Sequence, residues 1–518
     1  MIEVRDVKLP LGGDLKAACA KKLRVPVGDV LEARLLRRSV DARRKDDVHF
    51  IAAAAVSLRR GEKKYPPYTP WTPPRVEILK EKPAHRPVVC GAGPAGLFAA
   101  LTLARAGAEP ILLERGSAVD ERKADVEAFY QTRVLDTESN IQFGEGGAGA
   151  YSDGKLMTRI HDPLSEVVLH TLVAHGAPAD ILTKAKPHIG TDILKDVVRS
   201  MREDIIRLGG EVHFRTALTG IMQKNGRLTG ILADGQPIPC EQLILAIGHS
   251  ARDTFVRLHD CGLRMEPKPF SVGARIEHLQ SAIDRARYGR AAGHPALPPA
   301  EYTLSHRQNG RACYSFCMCP GGQVVAAQSE EHTVVTNGMS YHARDGVNAN
   351  AAVVVSVGPE DFDGSSVFAG MEFQRRIERA AYRATGSYRA PCQRVGDFLE
   401  DRPSRTCGSV HPTYPVGVRY GTLTGVLPEF VLREMRDGLR VFGRKIRGYD
   451  AADALLTGPE TRTSSPIRIV RGEDRYSTGL TGVIPCGEGA GYAGGIMSAA
   501  VDGLSCASRI MDEYRPFD

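Results

Sequence analysis

No apolar run in the sequence is long enough to cross a bilayer: the longest, Ile51 to Val56, falls well short of the ~20 residues a membrane helix needs. Membrane insertion is therefore not expected. The N-terminus also lacks the cationic-then-apolar pattern of a secretory leader, so a cytoplasmic location is the expectation. Cysteine is present but unpatterned. Eleven of them, scattered from Cys19 to Cys506, form no disulfide framework and read as reduced thiols of an intracellular protein. The densest group, Cys313, Cys317 and Cys319, has no fourth ligand at zinc or cluster spacing, since His332 stands 13 residues further on and alone. No metal is expected. What remains is ordinary for a globular chain of two or three domains: 518 residues, 42% hydrophobic and 25% charged.

Positive charge is absent from most of the chain as an excess. Residues 1–84 hold 19 lysines and arginines against 11 aspartates and glutamates, while the rest holds 49 against 50. The first piece reads as a small basic α/β domain over 1–64, with a strand at Ile2 to Val7, a helix capped by Asp14 and running to Leu23, and strands around Val30 to Leu36 and Val48 to Leu58. Arg37, Arg38, Arg43, Arg44 and Lys45 are its densest cationic cluster, interrupted by Asp41, Asp46 and Asp47. A solvated charged turn is the reading preferred. A nucleic-acid contact is the alternative, but no aromatic residues of an RNA-binding type accompany the charges. The connector 65–85 follows, with five prolines between Pro66 and Pro74 and the single Trp71, and is expected to lie extended across the next domain. The basic domain is expected to be dispensable for cofactor binding provided Trp71 is not buried.

Residues 88 to 96, Val88-Val89-Cys90-Gly91-Ala92-Gly93-Pro94-Ala95-Gly96, join an apolar strand to a helix, and the second strand Ile111-Leu112-Leu113 ends in Glu114 and Arg115. This is a dinucleotide-binding βαβ unit. Gly91 allows the tight turn, Gly93 lets backbone approach a pyrophosphate, and Gly96 lets helix pack on strand; the phosphates belong on the helix N-terminus. Glu114 accepts from a ribose 2′-hydroxyl and repels a 2′-phosphate, which favours an FAD- or NAD-type adenosine. A second glycine-rich segment runs from Gly482 to Ile496 into a helix over Met497 to Ile510. It lacks a following strand and ribose acid, so it completes the first nucleotide site instead of forming another.

These segments resemble FAD proteins of the glutathione-reductase and p-hydroxybenzoate-hydroxylase types. Further segments, Asn140 to Leu156, Ser315 to Gly322 and Glu460 to Pro466, are similar to those of a group of bacterial FAD-dependent dehydrogenases. The resemblance implies an FAD/NAD(P)-binding Rossmann-like domain (86–268 and 458–518) with an inserted α+β substrate domain (269–457), beside the small N-terminal α/β domain. It implies that Gly487 and Glu488 face the ribityl chain and that Gly494, Gly495 and Ile496 aim a helix N-terminus at the flavin pyrimidine. It also implies that Leu218 marks the adenine edge, and that Ala246 and Gly248, closing the strand Leu243 to Ile247, return the chain to the nucleotide. His249, just past that strand, is read as structural.

The glycines of 144–154, with Gly146, Gly147, Ala148, Ser152, Asp153 and Lys155, suit a loop that wraps an isoalloxazine ring and offers backbone N–H groups to it. Cys317 and Cys319 share one face of an expected strand and are read as small side chains beneath the flavin. A redox role for one of them, or for Lys155, is the alternative catalytic reading. Arg462, Ser464, Ser465, Arg468 and Arg471 are expected near the flavin or the substrate mouth. Taken together the sequence predicts an FAD-dependent oxidoreductase acting on a small molecule; the electron donor is open, and any NAD(P)H has to bind transiently because only one dinucleotide site is legible. A tRNA-modifying or RNA-binding flavoprotein, or a flavin-bound redox sensor, is the alternative.

Overall fold

In a computed structural model the described residues are 1–75, 78–158, 162–308 and 310–514. Residues 76 and 77 of the expected connector and 515–518 of the expected C-terminal segment lie outside them. The nucleotide sheet has five parallel strands in the order Val483–Pro485, Leu243–Leu245, Val88–Cys90, Ile111–Leu113, Glu211–His213. Strands so far apart in sequence meet because four of them are short, apolar and buried between helices, as parallel sheets require, while the edge strand Glu211–His213 is polar and largely exposed. Helix Pro94–Arg105 packs against the C-terminal helix Ile496–Glu513, and Gly503 lies where a Cβ would meet the carbonyl of Ala95. A three-stranded meander, Leu218–Lys224, Arg227–Ala233 and Gln236–Pro239, follows the edge strand Glu211–His213, with Asn225 and Gly226 turning at positive φ.

The second large sheet is mixed and has seven strands. Its centre is Phe270–Leu279, paired on one side with Asn348–Val357 and on the other with Leu455–Glu460. Both are buried along almost their whole length. Helix Glu429–Lys445 presents Val431, Met435, Leu439 and Phe442 at four-residue and shorter spacings and covers this sheet. Strand Leu455–Glu460 belongs to this sheet, so the sheet runs past residue 457. A short ribbon of Met265–Pro267 with Ile467–Ile469 ties the two large sheets at their junction.

The N-terminal piece is an antiparallel sheet in the order Ile2–Pro10, His49–Leu58, Val30–Asp41, with helix Leu15–Leu23 on one face; Asp14 caps the helix by accepting from the N–H groups of Lys16 and Ala17. It is docked, not tethered. The Arg38 N–H donates to the Thr183 carbonyl at 2.7 Å and the Ala185 N–H donates back to the Arg38 carbonyl at 2.9 Å. Ala296 and Leu297 pack into its core, and Val40 packs into the core of the seven-stranded sheet as well. In the cationic cluster Arg43 pairs with Asp41 and Arg44 with Asp46, so these two charges are answered locally. The connector crosses the nucleotide domain with Trp71 stacked on His170, ring centroids 3.7 Å apart, and Leu79 hydrogen-bonded to Ala106. Trp71 is half-buried.

Candidate active site

A cleft of about 380 Å³ runs along the C-terminal ends of the parallel strands and ends against the seven-stranded sheet. Three glycine-bearing segments build it. The fingerprint turn comes first: Gly91, at φ 102°, stands where any side chain would strike the Ala246 carbonyl, and Gly96 where it would strike the Gly91 carbonyl. The loop 144–154 comes second and lies against the first, since a Cβ on Gly147 would come 3.1 Å from the Gly93 Cα. The start of the C-terminal helix is third, with Ile496 so close to Gly149 that a Cβ there would meet it at 3.2 Å.

Most of the residues singled out from the sequence line this one cleft: Gly91, Gly93, Pro94 and Ala95 of the fingerprint, Glu114 and Arg115 after the second strand, and Gly147, Ala148, Ser152, Asp153 and Lys155 of the loop. Leu218, Ala246, Gly248, Gly487, Glu488, Gly494, Gly495, Ile496 and Cys317 complete the wall. Ala92, Gly96, Gly146 and Cys319 do not line it. Ala92 instead donates its N–H to Glu114 at 2.8 Å, the Gly146 N–H donates to the Ala92 carbonyl, and Gly96 serves helix packing. Of the arginine and serine cluster only Arg462 reaches the cleft. Ser465 is buried and donates to the Ile467 and Gly489 carbonyls, Arg471 pairs with Asp502 at 2.7 Å, and Arg468 lies over the Tyr492 ring. His249 also lines the cleft, with its Nδ1 3.2 Å from Ser250 Oγ; burial, with Arg462 and Arg252 nearby, pushes its pKa down to about 3 and leaves it neutral.

The lining suits an extended anionic dinucleotide. Helices Pro94–Arg105 and Ile496–Glu513 both begin at the cleft, at Gly93 and Gly495, and no side chain caps either. Their free N–H groups and positive dipole ends fit phosphate at one and an electron-rich ring edge at the other. Glu114 is buried and accepts from the N–H groups of Ala92, Gly116 and Gly144 at 2.8, 2.9 and 2.9 Å. A carboxylate has about four acceptor sites, so one remains for a ribose hydroxyl. Glu488 faces the cleft, and burial raises its pKa to about 7 against the pull of Lys268.

Several supporting groups were not legible in sequence. Arg122, wholly buried, donates to the carbonyls of Asn140, Ile141, Gly144, Glu145 and Gly147, so one guanidinium holds the glycine loop in shape. Arg252 and Arg462 share the buried carboxylate of Glu378 behind the cleft's far end, and the two guanidiniums hold it well below the usual carboxylate range against the cost of burial. Cys486, Asp502 and Cys506 bring three ligand-type atoms within 4.8 Å of one another. The Asp502 carboxylate there is already engaged by Arg471, Arg475 and the Gly487 N–H. It fastens the C-terminal strand to its helix.

Residues 269–463 match the family described as "FAD-dependent protein, C-terminal domain-like", and residues 1–57 match a domain of unknown function. A protein of Clostridium beijerinckii, described as uncharacterised, is 47% identical over 530 residues, covering 99% of each chain. Among solved structures, CtdE in complex with FAD is 13% identical, with 83% of this chain and 84% of that chain covered and a TM-score of 0.34. Glycine oxidase from Bacillus cereus is 9% identical, with 83% and 98% covered and a TM-score of 0.32.

Proposed function

Because the chain belongs to a family of FAD-dependent proteins, we propose that it is an oxidoreductase whose cleft holds FAD with the adenosine at Glu114 and the ring system against the seven-stranded sheet. The observation that carries this reading is the convergence of three glycine-bearing segments and two uncapped helix N-termini on one cleft. Bound there, FAD supplies a site, N5, that takes or gives a hydride. Glu114 binds the adenosine ribose, and the N–H groups at Gly93, Pro94-Ala95 and the helix start bind the pyrophosphate, with Leu218 beside the adenine. Proline contributes no N–H of its own, so the donors there are those of Gly93 and Ala95. Glu488 takes the ribityl chain and the helix at Gly495 faces the pyrimidine, where its dipole favours negative charge on the ring. The small-molecule substrate enters between the ring and the residues Phe316, Cys317, Asn337 and Arg462, where Arg462 and neutral His249 are available to orient it. NAD(P)H serves as a transient donor, since only one parallel nucleotide sheet occurs among the described residues.

The test is spectroscopic. The purified protein should be yellow, with bands near ~370 and ~450 nm, and should release FAD and not FMN. Anaerobic addition of NADH or NADPH should bleach the ~450 nm band. A colourless protein that fails to take up added FAD overturns the reading.

A further inference from the structure

The strand Arg311–Cys319 runs in register with Asn348–Val357 up to Phe316 and recovers it only at Cys319. Between these points Cys317 sits at φ 44°, a left-handed conformation that a non-glycine residue adopts at a cost and keeps where the surroundings enforce it. The enforcing contacts are specific. Arg275, fully buried and paired with Glu460 at 3.1 Å, donates to the Cys317 carbonyl at 2.7 Å and lies 3.5 Å from the Cys319 sulfur. Lys155, from the glycine loop across the cleft, donates to the carbonyl of Met318, the residue between the two cysteines. The result is a half-exposed thiol in the cleft wall with a fully buried one behind it.

The two sulfurs are electrostatically unlike. A hydrogen bond from Cys319, with Arg275 and Lys155 nearby, holds Cys317 well below the usual thiol range against the opposing effect of burial. Cys319 is driven the other way, first by that same hydrogen bond and then by burial. Cys240, Cys313 and Cys392, buried without a cation on them, are pushed up to about 12 by burial. A packing role needs neither the left-handed backbone nor two converging cations. An accessible thiolate next to a protonated thiol is the arrangement of an attacking and a resolving cysteine.

We propose that Cys317 and Cys319 are a redox-active pair that exchanges two electrons with the FAD, cycling between thiolate–thiol and an intramolecular disulfide. The inference rests on the FAD reading above. In the oxidising direction the sulfur–sulfur bond forms, Cys319 loses its proton, and two electrons with that proton pass to the oxidised FAD. In the reverse direction two electrons from reduced FAD break the bond, Cys319 takes the proton, and Cys317 leaves as a thiolate held by Lys155 and Arg275. Residues two apart in a regular strand are ~6.5–7 Å apart at Cα, the upper limit for a disulfide, and the bulge at Cys317 departs from that regular spacing.

The holoprotein, treated with one equivalent of diamide and freed of excess, is titrated anaerobically with dithionite while the ~450 nm band is followed. In a separate portion, taken after diamide and before any dithionite, free thiols are counted by alkylation and peptide mass spectrometry. Wild type should take up about four electrons per FAD, and Cys317→Ser and Cys319→Ser about two, because a disulfide is a two-electron couple. The diamide-treated wild-type peptide should carry a 317–319 disulfide. In the untreated protein at pH 7, iodoacetamide should modify Cys317 at least about tenfold faster than Cys319, and Lys155→Met should slow Cys317 several-fold. Uptake of two electrons by wild type, with both cysteines still alkylatable after diamide, overturns the proposal. Absence of FAD from the purified protein overturns the parent reading instead, since the disulfide and alkylation measurements are made equally well without it.

Discussion

Glu114 holds three segments with one carboxylate, and the proposed reading gives it the adenosine ribose as well. Three backbone N–H groups from the fingerprint turn, its own turn and the glycine loop end on it, which fixes those segments relative to each other before any ligand arrives. Glu114→Ala should therefore weaken FAD binding by ~1–3 kcal/mol, about 5- to 150-fold in Kd, and also lower the melting temperature of the apoprotein by leaving the donors unpaired. Fluorescence titration and thermal unfolding read the two effects separately, and unchanged affinity would remove the ribose assignment. Glu488 gives a pH-dependent counterpart. Its folded pKa of about 7 lies above the ordinary 4.5, so it keeps a proton in the folded state that the unfolded chain has lost. Stability therefore falls as pH rises from about 4.5 through about 7, and the cost is fully present above that. Glu488→Gln removes the cost: apoprotein melting should be higher than wild type at pH 8, with the gap closing towards pH 5. A gap that stays constant across this range would refute the assignment.

At the scale of elements, what the sequence disclosed and what it hid divide by the range of the interaction. The strand–turn–helix at Val88 to Arg105 and the C-terminal run from Val483 are legible because their chemistry is local: glycine spacing, apolar strands and helix starts lie within a dozen residues. The glycine loop was legible as glycines but not as a shape. Its shape comes from Arg122, whose donors reach carbonyls 18 to 25 residues away. Nothing in the helix Val119–Thr132 marks that arginine out from its exposed neighbours. The bulge at Cys317 was read as regular strand for the same reason, because Arg275 meets it across 42 residues and is itself paired with Glu460 across 185. The arginines beyond 462 were placed at the substrate mouth by proximity in sequence, whereas Arg471 turns inward to Asp502. Arg122→Met should raise hydrogen exchange throughout 144–154 and cost at least ~3 kcal/mol, since five carbonyls lose their donor together. Unaltered exchange in that loop would show that the glycines hold their conformation unaided.

At the scale of the whole molecule, the basic N-terminal sheet is joined to both larger parts, by backbone pairing at Thr183 and Ala185 and by apolar packing at Ala296 and Leu297. The connector adds the Trp71–His170 stack and the Leu79 contact on the nucleotide domain. Composition had suggested a separable appendage, because charge asymmetry and prolines mark a boundary but say nothing of docking. Deleting residues 1–84 should lower the melting temperature of the remainder by several degrees and increase its aggregation, as the face around Leu297 loses its cover. A truncated protein that melts with the full-length one would restore the appendage view.

The order of strands in the nucleotide sheet has a consequence for how the chain is made. Leu243–Leu245 needs Val483–Pro485 on its outer side, and ~240 residues must be synthesised between them. At ~5–20 residues per second a ribosome takes ~10–50 s to deliver the missing neighbour. During that wait the flank of Leu243–Leu245 is a bare edge with its hydrogen-bonding groups unanswered, the kind of template on which nascent chains pair wrongly. The seven-stranded sheet waits with it, because Leu455–Glu460 is one of the two strands flanking its centre. Birth of this protein is therefore slow to commit: its cofactor has no complete berth, and Leu243–Leu245 and Phe270–Leu279 each lack one neighbour, until the strands at 455–460 and 483–485 have been made.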